Sequence, residues 1–231
     1  MADTKEYEYS TKNSMFRDLF SEPACLPNVY KALHPEDAPI TEEDCTLVPL
    51  EDPFSVGINE DLIFFAKDKL IILMEPQPVW SANVLVRAFI YLQNAYETYL
   101  YDTDTFTCDT DPLKIPFPEI YVMYPGEKGN LPDELSLKDS FFKGENCKLN
   151  VTAQILYADK SDTVINQYIT FFMTVTEQAK KHDKTKEAVS NAIRICREKG
   201  VLGEYLGRKE QQAEEMVLYG LCLDRTPDTG K

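Results

Sequence analysis

Residues 58–80 read INEDLIFFAKDKLIILMEPQPVW, and the fold turns on this stretch. Two apolar, β-prone runs, residues 62–66 and 70–75, flank the polar turn Lys67-Asp68-Lys69, which is the pattern of a β-hairpin. Neither run alternates with polar residues, so both strands are expected to be covered on both faces. A turn over residues 67–69 sets Asp61 opposite Glu75, and a two-residue turn shifts the register by one and leaves them neighbours. Side chains alternate along a strand, so Glu75 and Gln77 share a face. Asp61, Glu75 and Gln77 are therefore expected to converge at one end of an apolar hairpin.

That convergence carries chemistry. Like charges facing across strands destabilise, and burying carboxylates without compensation is costly. A divalent cation reverses the sign of the interaction: Mg²⁺ is commonly held by one or two carboxylates together with waters and substrate phosphates. Pro76 and Pro78 lack the N–H groups a ladder needs. Pairing is expected to fail on that side beyond Glu75, opening the strand end into a cleft.

Outward from the hairpin, residues 15–33 place Phe16, Leu19 and Phe20, then Val29, Tyr30 and Leu33, at helical spacing around Pro23 and Pro27. They read as one broken helical unit. Residues 34–44 read as an acidic, proline-bearing loop and 46–50 as a short strand. Residues 83–100 read as a helix with Asn83 as its cap and Val84, Ala88, Tyr91, Ala95 and Tyr99 on one face. Residues 101–118 read as a loop, 119–124 as a strand closed by Pro125-Gly126, and 147–157 as another strand. From Asp162 helical patterns dominate, with glycine stops expected at Gly200, Gly203 and Gly207. The order predicts an α/β fold: a mixed central sheet flanked by helices, with an α-helical C-terminal part. The boundaries expected are a core over 1–160, a helical region over 161–224 and a tail over 225–231.

Composition limits the function classes. With 43 % hydrophobic residues the chain can build a core, so disorder throughout is excluded. The longest apolar run, 70–74, is far short of the roughly 20 residues that span a bilayer. The polar, acidic start shows no export signal, so a soluble cytoplasmic protein is expected. The six cysteines form no C-x-x-C pair, and His34 and His182 are the only histidines. Reduced thiols are the expectation, and a structural zinc site or a histidine-based triad is not. The net charge of −15 opposes phosphate contacts. Only residues 178–210 lean positive, with nine Lys/Arg against five Asp/Glu. Trp80, Tyr91 and Tyr96 are expected to pack rather than stack on a ligand.

The pattern of Asp61, a strand and turn, then Glu75-x-Gln77 closing the next strand resembles the recombination-promoting nuclease or putative transposase branch of the PD-(D/E)XK nucleases. Further stretches carry the resemblance: MFRDLF before the motif, Arg87 and Tyr91 after it, KIPFPEIYVMYPG, and CREKGVLGEYL near the C-terminus. It spans about residues 10–220. Where that branch often has histidine after the glutamate and serine after the glutamine, this chain has Glu-Pro-Gln-Pro, a stiffer backbone.

The resemblance implies a restriction-endonuclease-like sheet flanked by helices and a Mg²⁺-dependent endonuclease hydrolysing DNA phosphodiesters, with Mn²⁺ as an alternative metal. Asp61 and Glu75 would bind the metal, and Gln77 would orient the attacking water. DNA is the expected partner, touched by Arg87 and by Lys180, Lys181, Lys184, Arg194 and Arg197 of the positively leaning segment. A homodimer is compatible with this reading, as is a role in a mobile element or in defence. The competing expectation is a catalytically silent relative that keeps the fold as an interaction module.

Overall fold

The computed structural model describes residues 14–49, 61–74, 80–105, 111–126, 128–143, 145–182 and 186–223. Its six strands are β1 (Cys45–Leu47), β2 (Leu62–Ala66), β3 (Lys69–Met74), β4 (Phe117–Tyr124), β5 (Glu134–Ser136) and β6 (Thr152–Tyr157). They form one mixed sheet in the order β1-β2-β3-β4-β6-β5. β2 pairs antiparallel with β1 and with β3, β4 pairs parallel with β3 and with β6, and β5 pairs antiparallel with β6.

The central hairpin forms as expected, with a tighter turn. Ala66 pairs with Lys69 and Leu62 with Leu73, so Lys69 belongs to the strand and the turn is Lys67-Asp68 alone. Lys67 adopts the left-handed region at φ 55°, a conformation that costs a side-chain-bearing residue some energy. The two-residue register, carried one step further, sets Asp61 across from Met74 rather than Glu75. Alternation then sends Leu62, Phe64, Ala66, Ile71 and Leu73 into one apolar cluster. Ile63, Leu70, Ile72 and Met74 enter a second cluster on the opposite face.

The two clusters define the layers. Helix α1 (Met15–Phe20) and helix α2 (Leu26–Leu33) join the C-terminal helices on the first face. Those are α5 (Val164–Lys181), α6 (Lys186–Glu198) and α7 (Gly203–Leu223). Helix α3 (Val84–Asp102) covers the second face. Its Val84, Leu85, Ala88, Tyr91 and Ala95 are buried, a helical-period stripe matching the flat apolar surface beneath it. The short helix α4 (Leu137–Phe142) lies on this side too. The chain is thus an α/β protein with a six-stranded mixed sheet flanked by helices and a helical C-terminal part. Among the described residues no helix is long and apolar enough to cross a membrane.

Several local expectations are corrected. Asn83 adopts a helical conformation and makes no side-chain cap bond; the Ser81 hydroxyl instead accepts from its N–H at 3.2 Å. The last strand starts at Thr152, not 147. Before it, the Asn150 side chain accepts from Ser136 Oγ and the Lys138 N–H, which ties the chain down and leaves Leu149 half exposed. β5 and α4 were not foreseen. Ser136, which accepts from the Asp139 N–H at 3.3 Å, is the cap signal that marks α4. Gly200 is a genuine stop at φ 74°, whereas Gly203 opens α7 and Gly207 lies inside it.

Candidate active site

Asp61 enters the hairpin immediately before β2 and is 2 % exposed. A carboxylate that deep needs a charged partner, and α3 supplies it. Arg87 Nε stands 2.8 Å from Asp61 Oδ2 as an ion pair, without hydrogen-bond alignment. Its Nη2 donates to Oδ1 at 3.3 Å. The Arg87 side chain is 38 % exposed, so the pair is buried at its acid end and open to water at its base. Arg87 can do this because Val84, Leu85 and Ala88 anchor the same helical turn to the sheet.

Of the other expected site residues, Glu75 and Gln77 lie outside the described residues, as does Lys184. Glu75 follows Met74, the last residue of β3, directly in the chain. Among the described residues no three His, Cys, Asp or Glu side chains converge to hold a metal. Lys180 is exposed on α5. Lys181 pairs with Glu177 at 2.5 Å and Arg194 with Glu198 at 2.8 Å, while Arg197 pairs with Glu210. Much of the positive lean is therefore neutralised where it stands. Tyr91 is buried in the second cluster, and the Tyr96 hydroxyl donates to the Pro116 carbonyl at 2.7 Å; both pack, as expected.

Asp61 shares its end of the sheet with the carboxyl ends of β3, β4 and β6. Trp80 meets Tyr124 edge-on with ring centroids 5.1 Å apart, and Tyr124 meets Tyr157 in the same way at 5.9 Å. Gly126 packs on Tyr124 so closely that a Cβ there would lie 2.5 Å from the ring. Lys128 sits 5.7 Å from the Tyr157 ring centre and pairs with Asp133 at 2.5 Å. The Tyr157 hydroxyl donates to the Pro132 carbonyl at 2.7 Å. Burial, aided by Asp133 and Tyr124, raises the pKa of that phenol.

Two further polar clusters were not legible in the sequence, because each joins residues far apart in the chain. At the opposite end of the sheet, Glu119 of β4 pairs with Lys69 of β3 and with His34 Nε2 at 2.7 Å. It also accepts from the Tyr121 hydroxyl at 2.9 Å. His34 Nδ1 lies 3.2 Å from the Tyr30 carbonyl, and the two rings stack. Burial, with Glu119 second, pushes the Tyr121 phenol well above its usual range.

The second cluster joins the ends of the chain. Asp18 of α1 accepts from the Tyr205 hydroxyl at 2.7 Å and from Lys209 at 2.8 Å. Glu22 pairs with Arg208 at 2.9 Å and with Lys209 at 3.0 Å. Lys209 departs from helical geometry (φ −129°, ψ 27°), kinking α7 at the residue that makes these contacts. MFRDLF and CREKGVLGEYL, two of the stretches that carry the resemblance, thus meet in one latch.

No protein-family model, curated protein or solved structure matches this chain.

Proposed function

We propose that the chain is a metal-dependent DNA endonuclease of the PD-(D/E)XK type, with Asp61, Glu75 and Gln77 as its catalytic residues. One observation carries the reading: a carboxylate 2 % exposed at the head of the central hairpin, next to the carboxyl end of β3. Carboxylates this deep are rare unless paired, and a buried acid with a charged partner at the open end of a sheet is a functional-site candidate.

The donor set suits a hard cation. Asp61 offers oxygen, and the guanidinium of Arg87 that pairs with it has its side chain 38 % exposed. Asp61 and Glu75 would hold Mg²⁺ or Mn²⁺, which when bound supplies a Lewis acid and an activated water. Arg87, whose side chain is 38 % exposed, would contact a substrate phosphate where Asp61 is engaged by the cation. Gln77 orients the water by hydrogen bonding, carrying no charge of its own.

A second reading has its own support. Arg87 engages both Asp61 oxygens, and Lys181, Arg194 and Arg197 are paired with glutamates. These features favour a silent interaction module. The discriminating test is nicking of supercoiled plasmid by purified protein with Mg²⁺, Mn²⁺ or EDTA. The nuclease reading expects metal-dependent nicking that falls to the EDTA level in Asp61→Asn. No nicking under any metal assigns the chain to the second reading, and equal nicking by wild type and Asp61→Asn takes Asp61 out of the active site.

A further inference from the structure

Helix α3 turns one apolar face, Val84, Leu85, Ala88, Tyr91 and Ala95, to the sheet. Its opposite face is apolar as well. By helical periodicity, Val86, Phe89, Ile90, Gln93, Glu97 and Leu100 share that outer face, and Val86 and Phe89 stand 42 % and 36 % exposed. Only three of the 19 residues of α3 are charged, Arg87, Glu97 and Asp102, against five of 13 in α6. A helix with apolar residues on both faces is suited to burial on both, and an exposed apolar face marks a contact surface.

The spacing along this face decides what fits on it. Val86 and Leu100 lie seven residues either side of Gln93, and Phe89 and Tyr96 lie four before and three after it on one flank. A face whose apolar positions balance about its centre matches an inverted copy of itself, which is what a two-fold interface requires. In an antiparallel pair of α3 helices centred on Gln93, Val86 meets the partner's Leu100 and Phe89 meets the partner's Tyr96. Glu97, the one acid on the face, comes to the exposed side of the partner's Arg87. At the axis Gln93 meets its own copy, and an amide both donates and accepts. The net charge of −15 does not forbid this, because at about 0.15 M salt exposed charges more than about 8 Å apart are largely screened. It does fix a sign: two such chains associate more tightly as salt rises. A strip one helix wide and about 28 Å long lies at the low end of specific interfaces, below about 1,200 Å² in total, so the pair is weak and reversible.

We propose that the outer face of α3 is a two-fold interface between copies of this chain, giving a reversible homodimer with Gln93 at its axis. The proposal stands apart from the nuclease reading and needs none of its chemistry.

Sedimentation of the full chain over a range of protein concentrations reads the equilibrium. A monomer–dimer equilibrium with Kd in the micromolar range is expected, tighter at about 0.5 M salt than at about 0.05 M. Gln93→Glu sets two carboxylates across the axis and should weaken the dimer at least about 10-fold. Gln93 is exposed, so this variant should keep its fold, which circular dichroism checks. Gln93→Cys treated with diamide should give a disulfide-linked dimer that wild type treated alike does not. A monomer at every concentration, a dimer that Gln93→Glu leaves unchanged, or no cross-link through Gln93→Cys overturns the proposal. So does a dimer that dissociates as salt rises, which would place the contact on charged groups instead. Should a variant not fold, the wild-type equilibrium and its salt response decide alone. Plasmid nicking, present or absent, bears on none of these outcomes.

Discussion

The two ends of the central sheet each bury a carboxylate, and they treat it differently. At the amino end of β3 and β4, Glu119 is surrounded by Lys69, His34 and Tyr121, and its side chain and those of Lys69 and His34 are 13–20 % exposed. Each group has a partner from another element, and the network closes on itself. At the other end, Asp61 is buried more deeply, yet its charged partner Arg87 is twice as exposed as any of these and meets it with one nitrogen misaligned. A closed network fixes a fold. At Asp61 the acid is deep while the guanidinium that meets it stands half in water. The contrast is between a carboxylate inside a closed network and one whose counter-ion reaches water, and the proposed metal site is put at the second.

Substitutions at the two ends test that separation. The largest effect is expected for Glu119→Gln, which leaves Lys69 and His34 without their common anion. Breaking one side of a mostly buried charge network costs about 2–3 kcal/mol. Urea unfolding should read this loss while plasmid nicking by the folded fraction stays at the wild-type level. A loss of nicking beyond the loss of folded protein would make Glu119 part of the site. In metal-free buffer, Asp61→Asn should cost less, about 1–2 kcal/mol, because the orphaned Arg87 can turn its charge to water.

The smallest effect is expected at the latch. Desolvation alone would raise the Glu22 pKa, but hydrogen bonds from Arg208 and Lys209 outweigh it and hold the carboxyl below the usual glutamate value of 4.5. A depressed carboxyl stabilises the fold above the unfolded pKa and loses that contribution as pH falls through the folded one. Glu22→Gln should therefore cost under about 1 kcal/mol at pH 7, and the gap from wild type should close below the ordinary glutamate range. Urea melts at pH 7 and at pH 3.5 check this. A gap that widens on acidification would contradict the assignment.

The hairpin, the α3 stripe, strand β4 and the helical C-terminal part were legible because each is written in local periodicity. The turn length was not, since Lys67 at φ 55° is a conformation that Asn or Gly advertises and lysine does not. β5 was missed because a three-residue strand carries too little pattern to separate from a loop. At the site, the sequence placed Asp61 at the hairpin end but did not show its ion pair with Arg87, 26 residues further on, because no spacing rule links a strand start to a helix turn at that distance. The Glu119 network and the Asp18–Glu22 latch escaped for the same reason, spanning up to 191 residues.

Thermal melting with and without Mg²⁺ tests most directly the proposal that Asp61, beyond its pair with Arg87, holds a cation. At a concentration near ten times Kd, a ligand bound only by the folded state adds about 1.4 kcal/mol, which is roughly 3–6 °C in a chain of this size. Wild type should show that rise, and Asp61→Asn, though starting lower, should show almost none. If Asp61→Asn starts lower and still rises as far as wild type, Asp61 serves only as the structural partner of Arg87, and the proposed metal site is wrong.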